Sequence, residues 1–111
     1  EKVLNYTKQT MVAYMSEEDL NRLCAYIVEY SSGDTLQKIS PVKVDSQLKS
    51  IDIMHFGWNI GKAFSKKRIH TATFIKNVFA HTLRDLEIST IERKMSHTES
   101  VCCIKLDVKI V

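Results

Sequence analysis

The sequence predicts a mainly α domain of the α+β kind, with four to five helices around a central helix and one small antiparallel β element. Its 111 residues, 44% of them hydrophobic, are enough to bury a single core. Apolar residues recur at helical spacing through most of the chain, whereas the last residues alternate with the period of a strand. We therefore expect residues 1–111 to form one helical domain with a C-terminal strand.

The N-terminal third of the sequence predicts two amphipathic helices. Apolar residues at helical spacing indicate the first helix over residues 2–14. Ser16 is a typical N-cap, and the acidic residues at 17–19 complement the exposed amides of a first helical turn. The loop chemistry of residues 31–34 ends the second helix.

The most apolar region, residues 46–64, predicts the central helix. Asp45 and Ser46 are the expected caps, and apolar residues surround most of the circumference, which indicates burial on more than one side. Gly57 and Gly61 stand four residues apart on one face. Since each glycine costs a helix about 1 kcal/mol relative to alanine, we expect another helix to approach closely there.

Two segments predict the β element. Residues 39–44 alternate weakly around Pro41, which cannot donate to a ladder and therefore favours an edge strand. Over residues 103–111, apolar and charged residues alternate as in a half-buried strand. A lone strand leaves its backbone groups unpaired, so we expect 103–111 to pair with 39–44 or with the same strand of a second copy.

The charge distribution favours an anionic partner for the second half of the chain. Residues 1–45 hold five basic and seven acidic residues, whereas residues 46–98 hold nine basic and four acidic ones. Such asymmetry is typical of proteins that bind polyanions. Four or five basic groups gathered on one surface would support nucleic-acid binding.

The basic region 62–97 follows the order of a helix-turn-helix motif. A helix over 71–83, a turn at 84–88 and a second helix over 90–97 are predicted, and Ser89 with Glu92 fits a capping box. The turn is longer than the usual three or four residues and has no glycine. Residues 89–94 resemble the recognition helices of bacterial regulators over a run too short to define a family.

We expect the basic cluster at 66–68 to contact phosphates and the second helix to contact the groove of DNA. Lys76 and Arg84 add to the same positive charge. The predicted nucleic-acid-binding residues are Lys62, Lys66, Lys67, Arg68, Thr90, Arg93 and Lys94.

The sequence contains no motif that predicts an enzyme or a cofactor. Gly-x-Ser-x-Gly, the P-loop and His-Glu-x-x-His are all absent, and Cys24 lies on the apolar stripe of its helix. No two histidines stand three or four residues apart, and the adjacent Cys102 and Cys103 would point to opposite faces of a strand. We therefore expect a non-enzymatic protein without a metal, a cofactor or a small-molecule substrate.

A protein–protein interaction or homo-oligomeric module is the alternative hypothesis. The C-terminal strand could pair with a second copy, and tyrosine, of which the chain has four, is enriched at interfaces. The apolar run 51–64 is interrupted by polar residues and is shorter than the roughly 20 residues of a membrane span. The N-terminus lacks the plan of a secretory signal and the cysteine count is odd, so a cytoplasmic protein is expected.

Overall fold

The computed structural model describes residues 2–33, 38–98 and 101–110. Its five helices are α1 (Lys2–Met11), α2 (Glu17–Ser31), α3 (Ser50–Ala63), α4 (Arg68–Val78) and α5 (Ile88–Lys94). The mainly α class is confirmed. Within the described ranges there is no β-strand, so the predicted pairing of 39–44 with 103–111 is not supported. None of the helices in these ranges is long and apolar enough to cross a membrane.

The helix α3, which corresponds to the predicted central helix, has most of its residues buried. It packs on α4, which in turn contacts α2 and α5, while α1 packs on α2. The predicted start at residue 46 is wrong, because Asp45 forms a turn in which its carboxylate accepts from the Gln47 N–H at 2.9 Å. The helix begins at Ser50 instead, and the Asp52 carboxylate accepts from the Lys49 N–H at 2.9 Å.

The two glycines of α3 make room for α4, which confirms the predicted close approach. A Cβ atom placed on Gly57 would lie 2.8 Å from the Ile75 side chain, and one placed on Gly61 would lie 2.6 Å from the Thr71 hydroxyl. That hydroxyl also lies 2.5 Å from the phenol oxygen of Tyr30, which links α4 to α2. Side chains of α4 thus occupy the space that the glycines leave.

The first predicted strand is an extended segment between α2 and α3 that hydrogen bonds to helix side chains. The Arg22 guanidinium donates to the carbonyl oxygens of Ser40 and Pro41, each at 3.0 Å. The Asp19 carboxylate accepts from the backbone N–H of Lys43 at 3.0 Å. Because α2 satisfies these backbone groups, the segment needs no neighbouring strand.

The second predicted strand is an irregular segment, residues 101–110, with a turn at 106–107; we call it the C-terminal arm. It is bound along α3 through the Asp52 carboxylate, which is 1% exposed. One oxygen of this carboxylate accepts from the backbone N–H groups of Cys103 and Ile104, at 2.6 and 3.0 Å. The alternating pattern correctly placed Ile104 in the core, but the arm hydrogen bonds to a helix rather than to a strand.

The buried carboxamide of Asn59 binds the arm farther along α3. Its oxygen accepts from the Asp107 N–H at 2.8 Å, and its nitrogen donates to the Lys105 carbonyl at 2.8 Å. The same nitrogen lies 2.9 Å from the hydroxyl oxygen of Tyr6, a residue of α1. A side-chain amide can donate and accept at once, so Asn59 satisfies backbone groups of both kinds.

The buried imidazole of His55 lies between two backbone carbonyls. Its Nδ1 is 2.8 Å from the Ile104 oxygen and its Nε2 is 2.8 Å from the His97 oxygen. The ring thereby joins the segment after α5 to the arm.

Candidate nucleic-acid interface

The side chain of Arg68 joins the start of α4 to the end of α5. Its guanidinium donates to the carbonyl oxygen of Glu92 and, at 3.0 Å, to the hydroxyl of Ser96. The last carbonyls of a helix lack partners within the helix, so a guanidinium at this position caps α5. As a result the Arg68 side chain lies beside the backbone of Arg93, although 25 residues separate the two in the sequence.

The half-buried indole of Trp58 contacts two cations. The guanidinium carbon of Arg68 is 4.9 Å from the ring centroid, and the Lys62 ammonium is 5.9 Å from it. Both distances fall within the roughly 6 Å range of cation–π attraction. These contacts join Trp58, Lys62, Arg68 and the backbone of Arg93. Together with the sequence neighbours Lys67 and Lys94, we call this set of residues the basic junction.

A carboxylate from the C-terminal arm contacts the basic junction. One oxygen of Asp107 lies 2.7 Å from the Trp58 Nε1 and 3.0 Å from the Lys62 ammonium. The hydrogen bond from Trp58, followed by that from Lys62, lowers the pKa of the Asp107 carboxyl from its ordinary value. The ion pair is open to solvent, since the Lys62 and Asp107 side chains are 57% and 55% exposed.

An open groove adjoins this ion pair. Its volume is about 260 Å³, and it lies between the last turns of α3 and the C-terminal arm. Lys62 and Lys109 both line it, so two ammonium groups border the same space. The residues that line the groove are Asn59, Lys62, Ala63, Asp107, Val108, Lys109 and Ile110.

Two of the predicted basic residues make their contacts outside the junction. The Lys66 ammonium is 5.5 Å from the ring centroid of Tyr30, near the end of α2. Lys76 donates to the carbonyl oxygens of Leu83 and Arg84, at 2.8 and 3.2 Å, and so stabilises the segment after α4. Hydrophobic periodicity and net charge do not distinguish lysines that contact the protein itself from lysines whose ammonium groups are free to bind a partner.

The structure does not support a helix-turn-helix geometry. The first helix of the predicted motif ends at Val78 rather than at residue 83, and residues 79–87 connect it to α5. This connector is much longer than the three or four residues of a helix-turn-helix turn. Leu83 is buried within the connector, so its apolar character wrongly extended the predicted helix.

The helix α5 also differs from the predicted recognition helix. It begins at Ile88, one residue before the serine that was expected to cap it, and its N-cap is Glu87. The predicted capping box therefore does not form. The helix has seven residues and ends at Lys94 rather than at residue 97, and Thr90 on it is half-buried.

Sequence reasoning missed Trp58 and Asp107 as site residues. Trp58 stands four residues before Lys62, so the helical pattern already placed both on one face of α3. Nothing in the local sequence around Asp107 indicated that the arm would bring it to that face. In the ranges that the structure describes, no three His, Cys, Asp or Glu side chains form a group that could bind a metal ion.

Comparison with protein-family models, with curated proteins and with solved structures found no match. The geometry of the basic junction is therefore the basis for inferring what the protein does.

Proposed function

We propose that this protein is a small non-enzymatic domain that binds nucleic acid through the basic junction. The observation that carries the proposal is the contact of Arg68 with the carbonyl end of α5, which brings together cations from two distant parts of the sequence. Like charges repel, so gathering them on one surface suits a partner that carries many negative charges. The phosphate backbone of nucleic acid is such a partner.

Three cations of the junction are available to a partner. Lys67, Arg93 and Lys94 are exposed, and within residues 2–33, 38–98 and 101–110 their side chains make no hydrogen bond or ion pair. Arg68, in contrast, is half-buried and bound to α5. We therefore assign the phosphate contacts to the three free side chains and a positioning role to Arg68.

The proposed contacts are to the phosphate backbone rather than to base edges. The two basic residues of α5 lie in its last turn, and a seven-residue helix presents little surface to a major groove. Backbone contacts carry no sequence information by themselves. We therefore expect binding that depends strongly on salt and weakly on DNA sequence.

The alternative of homo-oligomerisation through a C-terminal edge strand has lost its main support. That hypothesis required unpaired backbone groups on the arm, and several of those groups hydrogen bond to Asp52 and Asn59. A protein partner with an acidic surface is a separate hypothesis. It is tested by competition between an acidic polypeptide and the DNA duplex. Poly-L-glutamate offers many negative charges without the phosphates.

The test is a fluorescence-anisotropy titration of a labelled random-sequence duplex of about 20 base pairs at several salt concentrations. We expect micromolar binding whose logarithm falls with the logarithm of salt, by about 0.9 for each phosphate neutralised. The triple variant Lys67→Ala/Arg93→Ala/Lys94→Ala should reduce that slope by about two to three.

The matched control is Lys2→Ala/Lys8→Ala/Lys38→Ala, which removes the same charge from exposed positions outside the junction. It should retain most of the slope. Equal loss in the two triple variants would contradict the proposal, because binding would then depend on net charge alone. Displacement of the duplex by poly-L-glutamate as effectively as by unlabelled DNA would indicate an acidic protein partner instead.

A further inference from the structure

We propose that Asp107 occupies a phosphate subsite of the basic junction, so that the C-terminal arm competes with nucleic acid for Trp58 and Lys62. This inference rests on the proposed function and concerns the regulation of the same surface. It makes the arm an internal competitor, and nucleic acid binds fully only when the Asp107 carboxylate has moved away.

The donors around Asp107 suit an oxygen of a phosphate group. The Trp58 indole N–H and the Lys62 ammonium converge on a single carboxylate oxygen, at 2.7 and 3.0 Å. Convergent N–H donors with a positive charge are what a phosphate oxygen also requires. A carboxylate at this position is therefore a chemical stand-in for a backbone phosphate.

The Asp107 carboxylate can leave without detaching the arm. Its backbone N–H is bound separately, by the Asn59 carboxamide at 2.8 Å. The side chain is 55% exposed, and exposed ion pairs contribute little to stability. Rotation of one side chain would thus free both donors while the backbone of the arm stays on α3.

The Asp107 carboxylate is negatively charged at neutral pH, as competition requires. The hydrogen bonds from Trp58 and Lys62 lower its pKa below the ordinary value of 3.8. The groove of about 260 Å³ beside it gives the incoming group space. Lys109, which lines the same groove, adds a second ammonium that a phosphate chain can contact.

The substitution Asp107→Asn tests the competition with little structural change. Asparagine keeps an oxygen that can accept from Trp58, and it tolerates the left-handed backbone of this residue, whose φ is 59°. The variant therefore removes the negative charge and little else. At moderate salt we expect it to bind the labelled duplex about two- to fivefold more tightly than the wild type.

The matched control is Glu18→Gln, which makes the same change of charge at the exposed start of α2. The other end of α2 lies near the start of α4, through the contact of Tyr30 with Lys66. A helix of 15 residues is about 22 Å long, which exceeds the Debye length of about 10 Å at 0.1 M salt. The control should therefore leave the affinity almost unchanged.

The fluorescence of Trp58 gives a second readout, because it is the single tryptophan of the sequence. We expect its emission to change over the same DNA concentrations as the anisotropy, since the indole N–H exchanges one acceptor for another. Tighter binding by Asp107→Asn than by Glu18→Gln, together with this change, would support the subsite.

Equal affinities of Asp107→Asn and Glu18→Gln, with a constant Trp58 emission, would overturn the subsite and leave the proposed function intact. If neither the wild type nor Asp107→Asn binds the duplex even at low salt, the proposed function itself is contradicted, and the subsite with it.

Discussion

The two faces of α3 are packed by opposite means. On the face toward α4, Gly57 and Gly61 have no side chains. Ile75 and Thr71 of α4 can therefore approach the backbone of α3 closely. On the face toward the C-terminal arm, polar side chains of α3 hydrogen bond to the backbone of the arm. One face is thus defined by steric fit and the other by hydrogen-bond donors and acceptors.

The difference explains how a single helix can position both the core and the basic junction. Tight apolar packing fixes α3 against α4, so that Trp58 and Arg68 meet. The polar face then fixes the arm, whose Asp107 contacts the same tryptophan. Both faces contribute to the candidate site, although only Trp58 and Lys62 of α3 belong to it.

The largest effect is expected from Asp52→Asn on the polar face. One Asp52 oxygen accepts from two N–H groups of the arm, and the other accepts from the Lys49 N–H. An amide has only one acceptor oxygen, so its NH₂ group must face at least one of these N–H groups, which then loses its acceptor. We expect a loss of about 2–4 kcal/mol in the free energy of unfolding, measured by urea denaturation.

Asp45→Asn is the matched control for this substitution. Asp45 is exposed and accepts from the Gln47 N–H, a contact that asparagine can keep. The control should cost less than about 0.5 kcal/mol. Similar losses for both variants would show that the arm does not depend on the Asp52 carboxylate.

A smaller effect is expected from Gly57→Ala on the apolar face. The added methyl group would lie within 3 Å of two carbons of Ile75. Overpacking costs about 1–3 kcal/mol, and the gain in helix propensity offsets about 1 kcal/mol of that cost. We expect a net destabilisation on the order of 1 kcal/mol in the same urea assay.

The double variant Gly57→Ala/Ile75→Val sharpens this prediction. Valine lacks the Cδ1 atom that meets the new methyl group at 2.8 Å. The double variant should therefore be more stable than the sum of the two single effects implies. Stabilisation by Gly57→Ala alone would mean that α4 does not pack tightly on this face.

The smallest effect is expected at acidic pH, where the contact between the arm and the junction weakens. The pKa of Asp107 is lower in the folded protein than its ordinary value of 3.8, chiefly through the hydrogen bond from Trp58. The stabilisation is therefore present above pH 3.8 and is lost as the pH falls through the lowered pKa. The stability difference between wild type and Asp107→Asn should shrink over that range.

Urea denaturation of both proteins at neutral pH and below pH 3.8 measures this difference, and the titration of other groups affects the two proteins alike. A difference that stays constant across the range would contradict the contacts of the Asp107 carboxylate with Trp58 and Lys62.

The sequence predicted the helices well where local chemistry decides them. Ser16 caps α2 as expected, with its hydroxyl oxygen 3.1 Å from the Asp19 nitrogen, and the spacing of Gly57 and Gly61 predicted the close contact with α4. The prediction of a β element was wrong for a physical reason. Periodicity describes side-chain burial, and the arm buries Ile104 between exposed neighbours while its backbone hydrogen bonds to Asp52 of a helix rather than to a strand.

The candidate site was predicted in its composition but not in its arrangement. The basic residues were predicted from the sequence. In the structure, however, Arg68 caps α5 and the Lys66 ammonium lies near the ring of Tyr30. These uses depend on contacts between distant residues, which a single sequence does not encode locally. The same reason explains why Asp107 was missed.

The central claim, that nucleic acid binds at the basic junction, is tested most directly by amide chemical-shift mapping while unlabelled duplex DNA is added. We expect the largest shifts at residues 67–68 and 93–94 and at the indole N–H of Trp58, with little change over residues 17–31. Largest shifts at residues 17–31, with an unchanged junction, would contradict the claim.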